Sequence, residues 1–115
     1  DHVVVTDSAG AVPVDDGSGH PIAKAFAKVK AVIHQNHGLL TASRHSIDDA
    51  CWNFIELEHL CRMQLMVDAC STPPKMVPHE HAVHTHKHLG GAFHCWLHFQ
   101  ALYAEVSRTQ PDLFD

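Results

Sequence analysis

Two hydrophobic periods share this chain, one of two residues and one of three to four. His2-Val3-Val4-Val5-Thr6 is β-branched and predicts a strand, and Ala11-Val12-Pro13-Val14 predicts a second. Asp7-Ser8-Ala9-Gly10 between them has turn chemistry, so the pair reads as a hairpin. Pro13 has no N–H to donate, which puts the second strand at a sheet edge. After a loop over Asp15-Asp16-Gly17-Ser18-Gly19, the spacing predicts a short helix over His20 to Lys28, with Pro21 in its first turn. Its core face would carry Ile22, Ala25 and Phe26. Val29 to His34 has little polar content on either face and predicts a central strand. Gln35-Asn36-His37-Gly38 interrupts it and Leu39-Leu40-Thr41-Ala42 resumes it, giving strand, tight turn and return strand.

Ser46-Ile47-Asp48-Asp49 is the clearest helix start. Ser46 can cap the first free N–H groups, and the two aspartates sit at the positive end of the helix dipole. No Gly or Pro intervenes before Cys70, and Ser71-Thr72-Pro73-Pro74 ends the helix. Ala50, Phe54, Leu57, Cys61 and Leu65 recur every three or four positions and predict a buried stripe. Two further helical segments follow, His79 to His88 and Ala92 to Arg108, separated by Gly90-Gly91. A polar tail with Pro111 closes the chain.

Composition narrows the partners. The 115 residues are 45% apolar and 18% charged, enough for one core at most. No apolar run is long enough to span a bilayer, so no membrane partner is expected. Eight basic against thirteen acidic residues give a net charge of −5 and no cationic stripe for phosphates, which argues against nucleic acid. The four cysteines form no CxxC pair, and Cys51 and Cys61 lie too far apart on one helix to bridge; reduced, mostly buried thiols in a cytoplasmic protein are the expectation. The chain opens on Asp1-His2-Val3 without a basic-then-apolar leader, as a piece of something longer would.

Thirteen histidines invite a metal reading at several places. His37, in a tight turn between two strands, has its backbone fixed on both sides, so its ring projects in a set direction at the sheet end. In the run His79 to His88, His81, His84 and His88 share a helix face, but prolines and glycines flank it and no orienting group is visible. A solvated, histidine-rich face is the preferred reading there. His94 and His98 bracket Cys95 and are expected to flank a packed helix holding Phe93, Trp96 and Phe99. Glu56 and Glu58 point in different directions and make no paired-carboxylate site, while Glu58 and Arg62 suit a surface ion pair. No nucleophile elbow, P-loop or dinucleotide fingerprint occurs.

Ala31-Val32-Ile33-His34-Gln35-Asn36-His37-Gly38-Leu39-Leu40-Thr41, then Ser46-Ile47-Asp48-Asp49-Ala50, then Leu57 to Leu65, resembles the class II aldolase/adducin family. Gly19 to Ala25 is similar to the family's helix before the strand, and Phe99 to Tyr103 with Gln110 to Leu113 to its close. The resemblance implies a three-layer α/β/α domain around a mostly antiparallel sheet, with residues 1–115 its C-terminal half, often assembled as a homotetramer. In the enzymatic branch it implies an aldehyde-lyase. Zinc or another divalent metal, held by three histidines, polarises the carbonyl of a small phosphorylated sugar or hydroxy-carbonyl compound while a glutamate moves the proton. His37 matches the ligand in the Asn-His-Gly turn. The other two ligands, a His-x-His pair, lie upstream in the family, as do the glutamate and the phosphate loop. His79-Glu80-His81 and His84-Thr85-His86 have that spelling but follow the turn and do not take the role. The resemblance therefore implies a chain that alone is inactive, retains no metal, and carries no catalytic or cofactor-binding side chain. Arg44 departs from the small residue common in relatives at the substrate end. The alternative is the adducin-like branch, a self-associating, cytoskeleton-binding domain without the metal.

Overall fold

The computed structural model describes residues 2–6 and 20–114. Strand β1 (His2–Val5), helix α1 (His20–Phe26), strands β2 (Ala31–His34) and β3 (Gly38–Thr41) are followed by helices α2 (Ile47–Asp68), α3 (His79–Leu89) and α4 (Ala92–Thr109). A 3-10 turn over Pro111–Phe114 ends the described chain. The segment expected as a second N-terminal strand, residues 11–14, lies outside the described residues, so the first hairpin is not assessed.

The fold is α/β, with helices packed on a small mixed sheet of order β1-β2-β3. β1 runs parallel to β2 with His2 opposite Ala31, and β2 runs antiparallel to β3 with His34 opposite Gly38. β2 is the central strand, as its apolar run predicts. Ala31 and Val32 are adjacent, so they point to opposite faces, yet both are buried. Both faces of the sheet are therefore covered at that end. α2 packs on β2 and β3, α4 on α2, and α1 on β1 and β2. Ile22, Ala25 and Phe26 are half-buried, as is Pro21 in the first turn of α1, beside exposed Ala23 and Lys24.

α2 begins where its cap predicts. The Ser46 hydroxyl accepts from the Asp49 N–H at 3.2 Å. The helix runs 22 residues, about 33 Å. Only part of the expected buried stripe is buried. Leu57 is, whereas Phe54 is 43% and Leu65 71% exposed. The periodicity identified the apolar face correctly, but beyond Cys61 no described element packs against it. For the same reason Phe93 and Trp96, expected inside, stand on the exposed side of α4. The thiols divide too: Cys95 is buried, Cys51 and Cys61 are half-buried, and Cys70 is exposed, all four free. The Cα radius of gyration, 16.8 Å, exceeds the roughly 13 Å of a compact domain of this length. Among the described residues no helix is long and apolar enough to cross a membrane.

Candidate functional site

The β2–β3 turn builds its geometry from two backbone requirements. Asn36 sits at φ 63° and Gly38 at φ 129°. Asn tolerates the left-handed region through its short polar side chain, and only Gly adopts the second conformation without strain. The His37 N–H donates to the His34 carbonyl at 3.1 Å, closing the turn, and the Gln35 N–H donates to the Val5 carbonyl at 2.9 Å, tying it to the end of β1.

His37 therefore stands on a backbone held from two sides. Its exposed ring stacks on the ring of buried His34, centroids 4.4 Å apart and planes 11° from parallel. The stack restrains the direction in which the imidazole points. Among the described residues, no three His, Cys, Asp or Glu side chains gather as a metal centre requires. Among the described residues, the turn thus holds one well-oriented imidazole and no complete metal centre. The other histidines are dispersed. His98 stacks on Trp52 at 5.0 Å, and His84 lies against His88 at 4.3 Å on α3. Glu58 and Arg62 form the expected surface pair at 3.2 Å.

A second polar centre, which the sequence signals only as a helix-start aspartate, lies at the other end of the hairpin. Asp49 is 1% exposed. Its carboxylate accepts from the Ser43 hydroxyl at 2.6 Å and from Asn53 Nδ2 at 2.7 Å. The Ser43 oxygen in turn accepts from the His45 and Ser46 N–H groups. Thr41 donates to the Ala50 carbonyl at 2.9 Å, fixing β3 against the first turn of α2. Cys95, on α4, lies 4.0 Å from Asn53 Oδ1, and Lys30 Nζ donates to the Gly90 carbonyl. Burial alone would raise the Asp49 carboxyl; hydrogen bonds from Ser43, Cys95 and Asn53, with the Lys30 charge, more than offset it and hold the group below 3.8. The same surroundings push the Cys95 thiol up to about 11, chiefly by burial and then by the neighbouring Asp49 carboxylate.

Arg44, with Lys28, Lys30, His45 and Asp49, borders a cleft of about 560 Å³ beside this centre. A separate apolar groove of about 430 Å³ runs between Ile33 and the Leu57, Leu60 and Leu65 side of α2. His37 lines neither.

Residues 1–65, covering both strands of the hairpin and most of α2, match the family described as Class II Aldolase and Adducin N-terminal domain. The chain belongs to the class II aldolase and adducin family. It is similar to the L-fuculose 1-phosphate aldolase of Glaciozyma antarctica PI12, with a TM-score of 0.80 at 30% identity over 97% of this chain and 40% of that one. It is 36% identical to decarboxylase NovR of Streptomyces niveus over 98% of this chain and 41% of that protein. It is 35% identical to the 4-hydroxy-3-prenylphenylpyruvate oxygenase/4-hydroxy-3-prenylbenzoate synthase of Streptomyces roseochromogenus subsp. oscitans, over 98% of this chain and 40% of that protein. The chain thus spans about two fifths of the length of these relatives, and the likeness extends through α3 and α4, beyond the residues the family match covers.

Proposed function

We propose that this chain is the C-terminal half of a class II aldolase-type domain, and that the complete protein is a metal-dependent lyase. It would cleave or rearrange a carbon–carbon bond of a small phosphorylated sugar or related hydroxy-carbonyl compound. The observation that carries this reading is the Asn36-His37-Gly38 turn. An imidazole held by a closed turn and a ring stack is oriented before any ligand arrives, as a metal donor must be. In the neutral form one ring nitrogen offers a lone pair to a divalent ion. A bound zinc-like ion would supply Lewis-acid polarisation of the substrate carbonyl. What this chain's residues contribute is orientation: Asn36 and Gly38 set the turn, and His34 backs the ring. The remaining ligands and the proton-moving carboxylate belong, in this reading, to the rest of the protein. The exposed apolar side of α2 and α4 supports that division, since such surface needs cover. The reading extends to a homo-oligomer in the cytoplasm.

Metal analysis of the full-length protein tests it. His37→Ala is expected to lose the ion while the fold, followed by circular dichroism, survives; a variant that keeps its full metal content overturns the ligand assignment. A full-length wild-type protein that binds no metal would instead favour the adducin-like, cytoskeleton-binding branch.

A second reading rests on the two bacterial relatives, one named a decarboxylase and the other for a phenylpyruvate substrate. It keeps His37 in the same role and replaces the sugar phosphate with a 2-oxo acid. The two separate on product: an aldehyde from a hydroxy-carbonyl phosphate supports the first, carbon dioxide from an arylpyruvate the second.

A further inference from the structure

We infer that His84 and His88 form a second, surface metal site, independent of His37, which takes one divalent transition-metal ion and staples α3. Residues four apart on a helix lie one above the other on the same face. Here the two rings already meet, with centroids 4.3 Å apart and planes inclined at 44°. Two imidazole nitrogens on one tetrahedral ion, each about 2.0–2.1 Å from it, stand about 3.3 Å apart. Rings in this arrangement reach that separation by side-chain rotation, with the helix backbone unmoved. Imidazole donors suit zinc, copper and nickel rather than calcium or magnesium.

The surroundings favour the ion and leave room for it. His84 and His88 are both exposed. An ion-pair contact on α3 joins His81 to Glu80, at 4.0 Å, and involves neither ring. Glu80 lies one turn before His84 and adds negative charge to the same face. No third ligand joins the pair among the described residues. Water then completes the coordination, and the site exchanges its ion rather than locking it in, unlike a closed structural site.

The second half of the inference comes from how little else holds α3 together. None of its residues is buried, and its N-cap, Pro78, makes no side-chain capping bond. A helix of 11 residues without a packed face is marginal in water. An ion that binds only when His84 and His88 are one helical turn apart favours the helical form in proportion to its occupancy. The pair thus couples metal concentration to the order of the segment joining α2 to α4.

Zinc alone, titrated into the protein, tests both halves by histidine-selective NMR and backbone amide exchange. The first equivalent taken up beyond any ion the protein already holds is expected to shift the ring signals of His84 and His88 together and to slow exchange within α3. His84→Ala and His88→Ala should each weaken this binding by about tenfold or more. His81→Ala should leave it unchanged. Because α3 packs on so little, none of the three α3 substitutions threatens the rest of the fold. Shifts spread evenly over many histidines, wild-type binding in His84→Ala, or zinc binding without slowed exchange in α3 would each overturn the inference.

Discussion

Removing the Asp49 carboxylate should destabilise this chain more than any surface change. The side chain is 1% exposed and accepts charge-assisted hydrogen bonds from Ser43 at 2.6 Å and Asn53 at 2.7 Å. Such bonds contribute about 1.5–3 kcal/mol each, and Asp49→Ala also leaves the half-buried Ser43 hydroxyl short of its acceptor, while Asn53 Nδ2 keeps its bond to the residue-49 carbonyl. The expected loss is about 3–5 kcal/mol, a large share of the roughly 5–15 kcal/mol that holds a domain folded. Asp49→Asn keeps the volume and one acceptor oxygen and should lose about half as much. Urea denaturation followed by far-ultraviolet circular dichroism measures both. The pH dependence supplies an independent check. A carboxyl held below 3.8 in the folded state contributes stability that is present above the unfolded value and disappears as pH falls through the lowered folded one. Wild type should therefore lose stability on acidification that Asp49→Asn does not. A loss under about 1 kcal/mol for Asp49→Ala, or acid profiles that coincide, would refute the account of this centre.

The Cys95 thiol, pushed up to about 11 from 9.0, favours the folded state below the ordinary thiol range, and that contribution fades as pH rises toward the higher value. Thiolate absorbance should show the Cys95 transition well above the ordinary thiol range, with Asp49→Asn bringing it down; a transition in the normal range contradicts the assignment. Gly38→Ala tests the turn. A Cβ there meets nothing within 4 Å, so the expected cost of about 1–3 kcal/mol is backbone strain alone, and D-alanine at the same position should restore stability in the urea midpoint.

What the sequence discloses is local. Asn36 and Gly38 mark a turn because their own backbones take the unusual conformations, and Ser46 marks a helix start because the groups it caps are three residues away. His37 stands out for the same reason, lying inside a motif whose geometry is short-range. The Asp49 centre is not legible this way. Its aspartate resembles any first-turn acid, and the residues that give it meaning, Lys30 and Cys95, come from distant parts of the chain. The parallel pairing of β1 with β2 is likewise hidden, because an apolar strand carries no mark of its partner's direction. Hydrophobic period shows which face of α2 and α4 is apolar. It does not show what covers that face, which is why Leu65 and Phe93 are exposed where burial was expected.

The polar centre around Asp49 also orders the chain's assembly in time. Its bonds to Ser43 and Asn53 span 6 and 4 residues, whereas Cys95 approaches Asn53 across 42 and Lys30 reaches Gly90 across 60. Closing the longer loops costs more chain entropy and is rewarded only once the local partners are in place. The hairpin and the start of α2 should therefore form as an early unit, with α4 docking onto it afterwards. During synthesis, a segment whose serine, aspartate and asparagine are already joined would wait for a cysteine not yet made.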